Sequence, residues 1–310
     1  MSEKFNLEIL EELGKFTKKL RKQTSKLIKK GTKISEIINF VEKSIFDAKC
    51  LPAFPCTVCI NDVAAHYTIF DEDYEIKKGD VVKIDFGISK DGFITDNAFT
   101  IEIETNRYKE ILDANFDALN KQLELVSVGI SMSELGRIPE NNAAKVGCQT
   151  IHNLSGHQIE RNNLHVGLSV PNYENKNLSR IQNNSCFAIE PYFSLGSNLI
   201  KEGQKGNILE LTGTGPVRDV IAKTVLNHIK KKFSYLPFSK RWLLQETSEY
   251  LGLGPGFEKN KLEYALKILK KEKRIYEHSR LVSIDGSINT QFEDTVLIIN
   301  GEKKIITRLD

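Results

Sequence analysis

The stretch that most constrains the fold is residues 81–100, VVKIDFGISKDGFITDNAFT. It contains two apolar, β-rich runs on either side of an Asp-Gly pair at positions 91–92. An Asp-Gly pair between such runs is a strong signal for a two-residue hairpin turn. We therefore predict a β-hairpin in which Asp85 faces Ala98 across the two strands.

Each predicted strand carries one carboxylate where the pattern should be apolar, Asp85 in KIDFG and Asp96 in ITDNA. In the predicted pairing these side chains share one face as a diagonal pair, roughly 7 Å apart or less at Cβ. Carboxylates held so close repel each other and share a proton unless a cation lies between them. The hairpin alone leaves two interpretations open: a metal site, or one aspartate that begins a strand and another that caps a turn.

Composition sets broad limits on the fold and on the partners. The chain has 310 residues, of which 40% are hydrophobic and 27% charged, as expected of a soluble protein with one large domain, alone or with a smaller one. The net charge of +3 requires neither a nucleic-acid partner nor a membrane surface. We find no apolar run of about 18 residues and no signal-peptide core, so we expect no transmembrane helix.

The five cysteines are odd in number and their spacing is not that of a disulfide framework, which favours a reducing cytoplasm. Cys56 and Cys59 form one CxxC, but no second Cys or His pair follows at zinc spacing. Their segment has strand character, and positions three apart on a strand face opposite sides. We interpret both as buried structural cysteines.

Amphipathic periodicity predicts four helices in the first half, at residues 7–30, 33–48, 108–128 and 132–145, with Pro139 as a candidate kink in the last. Three residues recur 98 positions later: Gly31, Ser35 and Glu36 return as Gly129, Ser133 and Glu134. This repeat suggests two α/β halves related by pseudo-symmetry, with a cleft between them. The alternative is that two helix pairs merely share the same stop and cap residues.

The second half of the chain carries further candidate residues. His157 and His165 lie in a polar, Gly-rich stretch, so we expect both on loops or strand ends, and His66 is a third candidate. Glu190 and Glu293 each occur inside an apolar run, where an unpaired carboxylate is costly to bury.

Four carboxylates in strands and one histidine could together hold metal. Their charge of about −4 balances two divalent cations, which bridging carboxylates could hold about 3–4 Å apart. Oxygen-rich ligation with one imidazole and no thiolate favours Mn, Fe, Co or Zn in a catalytic setting. The other two histidines would then be left to act on a substrate.

From about Leu51 onward the chain resembles the type 2 methionine aminopeptidases, within the pita-bread metallopeptidases that include prolidase and aminopeptidase P. The matching stretches are AFPCTVCINDVAAHYT, KIDFGISKDGFITDNAFT, NLSGHQIERNNLHVGLSVPN, FAIEPY, LPFSKRW and QFEDT. Several motifs in order are far more specific than any one of them. The resemblance implies an α+β pita-bread (creatinase/aminopeptidase) fold with pseudo-twofold halves. It also implies removal of the initiator methionine from nascent proteins whose second residue is small.

The resemblance also implies a role for each candidate residue. Two divalent ions per chain (Co, Mn, Fe or Zn) would be held by Asp85, Asp96, His157, Glu190 and Glu293. A hydroxide bridging the ions would attack the first peptide bond while Glu190 shuttles the proton. His165 would stabilise the oxyanion and His66 would contact the substrate near the scissile bond. Phe54 and Tyr192 would be apolar walls of the methionine pocket.

The type 2 assignment rests on an insertion, because Glu190 and Glu293 are 103 residues apart, more than the pita-bread core needs. We expect residues 1–215 and 284–310 to form the catalytic domain and residues 216–283 an inserted helical, winged-helix-like subdomain. Its predicted elements are helices at 217–233 and 261–271, then a hairpin in RIYEHSRLVSIDGSI. Five basic residues, Lys230, Lys231, Lys232, Lys240 and Arg241, suggest either nucleic-acid binding or, in our interpretation, a solvated basic face at the cleft rim.

Two positions depart from the family pattern. Asp294 stands where the family usually has histidine, and we expect this to tune the site rather than abolish it. His278 falls near an expected pocket aromatic, which leaves that wall of the methionine pocket in question.

The resemblance implies nascent N-termini as partners, leaves room for transient ribosome association, and favours a cytoplasmic monomer without membrane or specific nucleic-acid contacts. Three alternatives differ in class. A pseudoenzyme would have lost metal ligands, and all five are present here. An X-prolyl peptidase usually carries an extra N-terminal domain. A winged-helix regulator leaves the metal constellation unexplained.

Overall fold

A computed structural model describes residues 5–234, 236–244, 252–254 and 257–309 of the chain. The predicted catalytic domain and insert include residues 1–4, 235, 245–251, 255–256 and 310, which lie outside the described residues. The helices are α1 (Leu7–Ser25), α2 (Ile34–Asp47), α3 (Lys109–Leu125), α4 (Met132–Lys145), α5 (Val220–Lys232) and α6 (Lys259–Lys271).

The strands in the first half are β1 (Leu51–Pro52), β2 (Thr57–Ile60), β3 (Val63–Ala65), β4 (Val81–Lys90), β5 (Phe93–Glu102), β6 (Gln149–Thr150), β7 (Ser155–Glu160) and β8 (Asn163–Pro171). Those that follow are β9 (Ser185–Ile189), β10 (Tyr192–Ser194), β11 (Ile200–Leu211), β12 (Phe238–Ser239), β13 (Ile275–Ser283), β14 (Asn289–Gln291), β15 (Glu293–Ile299) and β16 (Glu302–Ile305).

Two helices show how local sequence sets helix limits. The Asn6 side chain caps α1 by accepting from the Ile9 amide, and α1 ends at Ser25 rather than at the predicted residue 30. Pro139 lies inside α4 without ending it. Proline removes the N–H that would bond to the carbonyl four residues earlier. That carbonyl, on Leu135, instead accepts a bond from the Gln122 side chain at 3.1 Å.

The largest sheet runs β1-β4-β5-β15-β9-β7-β8, with β2 and β16 attached to β4 and β15. The hairpin prediction is confirmed, because β4 and β5 pair with Asp85 opposite Ala98 and Lys90 opposite Phe93. A second sheet has the order β14-β10-β6 and a third the order β12-β11-β13-β3. The main core is formed by apolar residues of the largest sheet together with residues of the helices α1, α2, α3 and α4.

The two halves repeat each other in structure as well as in sequence. Gly31 and Gly129 both adopt left-handed backbone conformations, with φ of +86° and +89°. Two residues beyond each glycine, Lys33 and Ser131 form equivalent isolated bridges to a following segment. A short strand then begins at the same spacing in each half, β1 and β6. Shared cap residues alone would not reproduce these bridges and strands.

The predicted insert differs from the expectation in one element. Its helices are present as α5 and α6, which pack with Trp242 and Phe238 in a separate apolar cluster. The predicted hairpin in RIYEHSRLVSIDGSI is wrong. Residues 275–283 form a single strand, β13, whose partners are β11 and β3. The insert is therefore joined to the rest of the chain through a shared sheet.

The predicted basic face is also smaller than expected. Lys240 and Arg241 are buried, and their charges are paired with Glu277 at 2.6 Å and with Glu42 at 2.7 Å. The Glu42 carboxylate also accepts a bond from the Trp242 indole at 2.7 Å. These ion pairs attach the 3-10 turn of residues 240–243 to α2 and β13, so neither cation is available to a nucleic acid.

Candidate active site

All nine candidate site residues line one cavity of about 330 Å³. They are Phe54, His66, Asp85, Asp96, His157, His165, Glu190, Tyr192 and Glu293. This volume falls at the lower end of the range for small-ligand sites. The residues that the sequence analysis assigned to one site therefore lie together in the fold.

Four of the five candidate ligands lie in the strands β4, β5, β15 and β7, and the fifth, Glu190, follows β9 directly; the five strands are neighbours in the largest sheet. Asp85 and Glu293 lie on either side of Ala98, whose small side chain leaves space between them. Asp96 lies two residues before Ala98 and so shares its face of the sheet. Both aspartates occupy strand interiors, which excludes the alternative of a strand start and a turn cap.

His157 completes this face from the other half of the sheet. Its Nε2 lies 3.5 Å from Asp96 Oδ2 and 3.6 Å from Glu190 Oε1. Ligand-type atoms of Asp96, His157 and Glu293 lie within 4.8 Å of one another. Glu190 follows β9 directly, next to the strand with which β7 pairs.

The histidine prediction needs correction. His157 and His165 lie inside β7 and β8, not on loops or strand ends, and their ring centroids are 4.1 Å apart. Along β8, apolar residues at every second position, Leu164, Val166, Leu168 and Val170, alternate with exposed residues, so the period-two pattern of a half-buried strand was present in this sequence.

The electrostatics of this cluster favour a cation. Burial raises the pKa of Asp96 to about 7, and it raises the pKa values of Asp85, Glu190 and Glu293 well above their usual range. Repulsion among the carboxylates adds to these last three shifts. Without positive charge the cluster can be buried only by holding protons.

Unpartnered atoms test whether the residues fit a metal. Among the described residues, Asp85 Oδ1, Asp96 Oδ1 and Glu293 Oε2 are buried and have no hydrogen-bond partner. Buried polar atoms are normally satisfied, so three lone carboxylate oxygens in one cluster call for a ligand. Carboxylate oxygens and one imidazole are a suitable donor set for Mn, Fe, Co or Zn. The residues therefore fit divalent metal.

Metallopeptidase family M24 matches this chain by its family model over residues 8–234. The chain belongs to metallopeptidase family M24. A methionine aminopeptidase of Methanocaldococcus jannaschii is 36% identical over 298 residues, 96% of this chain and 97% of that protein. The family prediction and the metal interpretation of the two aspartates agree with this membership.

Solved structures confirm the pita-bread fold of this M24 chain. A methionine aminopeptidase from Thermotoga maritima has a TM-score of 0.68 at 18% identity, and the match covers all of both chains. A structure of a thermophilic Arx1 has a TM-score of 0.80 at 17% identity, and it covers 99% of this chain and 93% of that one. At these identities the likeness concerns the fold alone.

Sequence reasoning missed one residue of the M24 site. The Gln291 side-chain amide donates bonds of 3.3 Å to both Asp85 Oδ2 and Glu190 Oε2. It thereby fixes two candidate ligands from different strands in one orientation. The available signal was its position two residues before Glu293, which puts both on one face of an extended segment.

His66 reaches the cavity through an unusual backbone. It follows β3 with φ of +62°, a conformation costly for a residue other than glycine. Its carbonyl packs against Gly206 so closely that a Cβ there would lie 1.9 Å from the His66 oxygen. Gly87 likewise permits a close approach, here of the Phe54 side chain, because a Cβ at position 87 would lie 2.6 Å from the Phe54 ring.

Proposed function

We propose that this chain is a metal-dependent aminopeptidase that removes an N-terminal methionine when the second residue is small. The observation that carries the proposal is the convergence of five ligand-type side chains, three with unpartnered buried oxygens, on one wall of the cavity. The near full-length similarity to an archaeal methionine aminopeptidase supports the choice of substrate.

We propose that Asp85, Asp96, His157, Glu190 and Glu293 would together hold two divalent ions, and the proximity of ligand-type atoms of Asp96, His157 and Glu293 supports this. When bound, such ions lower the pKa of a water molecule and polarise the scissile carbonyl. Gln291 keeps the Asp85 and Glu190 carboxylates oriented toward this centre. Mn, Fe, Co and Zn are the candidate metals.

The remaining residues act on the proton and the substrate. A Glu190 carboxylate oxygen accepts the proton of the attacking water and passes it to the leaving amine. Burial, together with the nearby His278 and His165, lowers the pKa of His66 to about 3. His66 is therefore a neutral hydrogen-bond donor at neutral pH. It contacts the substrate near the scissile bond, and His165 donates to the carbonyl oxygen as negative charge develops there.

The side-chain pocket lies beside these groups. Phe54 and Tyr192, both buried, supply apolar wall to the cavity. An unbranched, polarisable methionine side chain suits such a wall. Only the first residue of a substrate would be removed, because the free amine of that residue would be held next to the metal centre.

We assign the type 2 subtype from the residues between Glu190 and Glu293. On this proposal residues 216–283 form the inserted subdomain and residues 1–215 and 284–310 the catalytic domain. The separate apolar cluster of α5, α6 and Trp242 supports the division. The strand β13, which pairs with β11, would then be the connection between the two parts.

We further propose a cytoplasmic monomer that acts on nascent chains, with transient association at the ribosome. The five cysteines are free and buried, which is compatible with a reducing compartment. No helix in the described part of the chain has both the length and the apolar character needed to cross a membrane.

The test is release of free methionine from a Met-Gly-Met-Met peptide by metal-stripped protein supplied with Mn, Co, Fe or Zn in turn. We expect metal-dependent release, which Asp96→Ala abolishes while circular dichroism remains that of a folded protein. Asp91→Asn, in the exposed turn of the same hairpin, is the matched control and should retain activity. Release by Asp96→Ala, or preferential cleavage of X-Pro dipeptides, would contradict the proposal.

A further inference from the structure

One wall of the active-site cavity carries a polar pair that the mechanism does not use. His278 on β13 and Glu210 on β11 both line the cavity, and Ile208 lies directly opposite His278. Since Glu210 is two residues beyond Ile208, all three side chains share one face of this sheet. His278 Nε2 and Glu210 Oε2 are 3.2 Å apart. The sequence resemblance leads us to expect an aromatic pocket residue near position 278.

Hydrogen-bond chemistry fixes what this pair presents. An ionised carboxylate only accepts, so His278 Nε2 must donate to Glu210. The bond from His278 lowers the pKa of Glu210, which keeps the carboxylate ionised at neutral pH. In a neutral imidazole the other nitrogen, Nδ1, is then an acceptor. Within the described residues, neither His278 Nδ1 nor Glu210 Oε1 has a hydrogen-bond partner.

The pair is accessible from the cavity. The side chains of His278 and Glu210 are 24% and 42% exposed, whereas Phe54 and Tyr192, which line the same cavity, are buried. A first residue bound in this cavity would therefore meet both apolar groups and two unpaired acceptors. The methionine thioether has no hydrogen to donate and gains nothing from those acceptors.

We propose that His278 and Glu210 determine specificity by admitting first residues whose unbranched side chain ends in an N–H donor. Glutamine is the genetically encoded side chain of this class closest to methionine in length. The inference rests on the proposed aminopeptidase function and extends its substrate class. An entirely apolar pocket would reject an amide, because the lost hydration would not be replaced.

A purely positional role is the competing explanation. The His278 ring also meets the His66 ring edge-on, with centroids 5.3 Å apart. If the pair only held His66 in place, its removal would slow cleavage of every peptide by the same factor. A specificity role instead changes the ratio between peptides, so the two explanations are separable.

The experiment compares wild type, His278→Phe and Glu210→Gln, all metal-loaded and all in the same buffer. The substrates are Gly-Met-Met peptides extended by methionine, glutamine or methionine sulfoxide, freshly dissolved because N-terminal glutamine cyclises. Glu202→Gln is the matched control, since Glu202 also lies on β11 and accepts from Ser279 on β13 at 3.1 Å but does not line the cavity.

We expect the methionine-to-glutamine ratio of kcat/KM to rise about fivefold in His278→Phe, the usual scale for one lost hydrogen bond to a neutral acceptor. It should also rise in Glu210→Gln and stay unchanged in Glu202→Gln. The sulfoxide, which only accepts, should show no advantage in wild type. A ratio within twofold of wild type in His278→Phe, or equal losses for all peptides, overturns the proposal.

Equilibrium binding of methioninamide and glutaminamide to the same proteins separates this inference from the proposed function. A shift in the ratio of the two Kd values in His278→Phe supports the pocket assignment even if wild type cleaves no peptide. Methionine release with an unshifted Kd ratio overturns the pocket assignment alone.

Discussion

Arg21 Nη1 lies 3.2 Å from Asp294 Oδ1, across 273 residues of sequence. Asp294 is fully buried and also accepts from Thr307 Oγ1 at 2.8 Å and Arg308 Nη1 at 3.3 Å. Because side chains alternate along β15, Asp294 faces away from the side on which Glu293 and the other candidate metal ligands lie. Asp294, which stands where the family usually has histidine, therefore connects α1 and the segment after β16 to the side of β15 that faces away from Glu293.

Removing this carboxylate should cost stability. Asp294→Ala leaves Arg21 buried without its partner, and breaking a buried ion pair in this way typically costs about 3–5 kcal/mol. Urea unfolding of the metal-free protein measures the change in the free energy of unfolding. Asp47→Ala, which breaks the exposed Lys43–Asp47 pair, should cost less than about 1 kcal/mol. Equal costs in the two variants would show that the buried Asp294 contacts stabilise the fold no more than an exposed ion pair does.

The close approach at Gly206 should affect catalysis. Gly206→Ala must displace the His66 carbonyl, since the new Cβ would lie 1.9 Å from that oxygen. A displacement of this kind near the reacting groups can reduce kcat/KM by about 100-fold. Gly203→Ala on the same strand is the control, because its new Cβ would lie 3.2 Å from the Val282 side chain and 3.4 Å from the Arg280 carbonyl oxygen, with no contact as short as the one at Gly206. Peptide cleavage by the two variants, with circular dichroism for folding, decides the outcome.

The Gln291 bridge should be visible in metal affinity. Gln291→Leu removes the amide that orients Asp85 and Glu190, and losses of such supporting bonds usually weaken metal binding by about 10–100-fold. Chelator competition on purified protein measures the affinity without reference to turnover. Gln122→Leu, which loses a bond to Leu135 in α4, provides a buried glutamine control that should bind metal normally. Unchanged affinity in Gln291→Leu would remove this residue from the site.

Acid stability should depend on Glu277. Burial alone would raise the pKa of Glu277, but hydrogen bonds and charges from Lys240 and Lys270 outweigh it and lower the pKa. A carboxyl whose folded-state pKa is depressed stabilises the fold above its unfolded pKa of about 4.3, and this stability is lost as pH falls through the folded value. Glu277→Gln should therefore destabilise the protein at pH 7 and progressively less at lower pH.

Unfolding curves between pH 7 and pH 3 measure this difference. Asp47→Asn removes a charge from an exposed pair and serves as the control, with little effect at any pH. A destabilisation by Glu277→Gln that stays constant over the whole range would show that the Glu277 charge is not involved.

Local sequence predicted the parts of the fold that local chemistry determines. The Asp-Gly turn sets the register of β4 and β5, so the residue pattern alone is enough to place Asp85 and Asp96 on one face. Periodicity likewise predicts α4 with its observed limits, and the structure shows a capping box of Ser131 and Glu134 at its start. The family motifs then assigned residues that are distant in sequence to one site, which periodicity alone could not do.

Three of the errors have a common origin in partners that are distant along the chain. β13 was expected to fold back on itself because its true partner, β11, lies beyond two intervening helices. Lys240 and Arg241 were predicted to be surface cations because their partners, Glu277 and Glu42, are remote in sequence. Gln291 was overlooked because its function depends on two carboxylates from other strands. Local pattern can put a residue on the right face, as it does for Gln291, but it does not identify the distant partner.

The position of β15 between β5 and β9 has a consequence for how the protein folds during its synthesis. The Thr295 hydroxyl is bonded to both the amide and the carbonyl of Asp96, 199 residues earlier, so the strand joining the two halves is translated long after its neighbours. Contacts so remote in sequence form slowly. A growing chain in which Glu293 has not yet emerged from the ribosome has both flanks of the catalytic centre but not its middle. Each newly made molecule therefore becomes competent to process other chains only in a late step of its own folding.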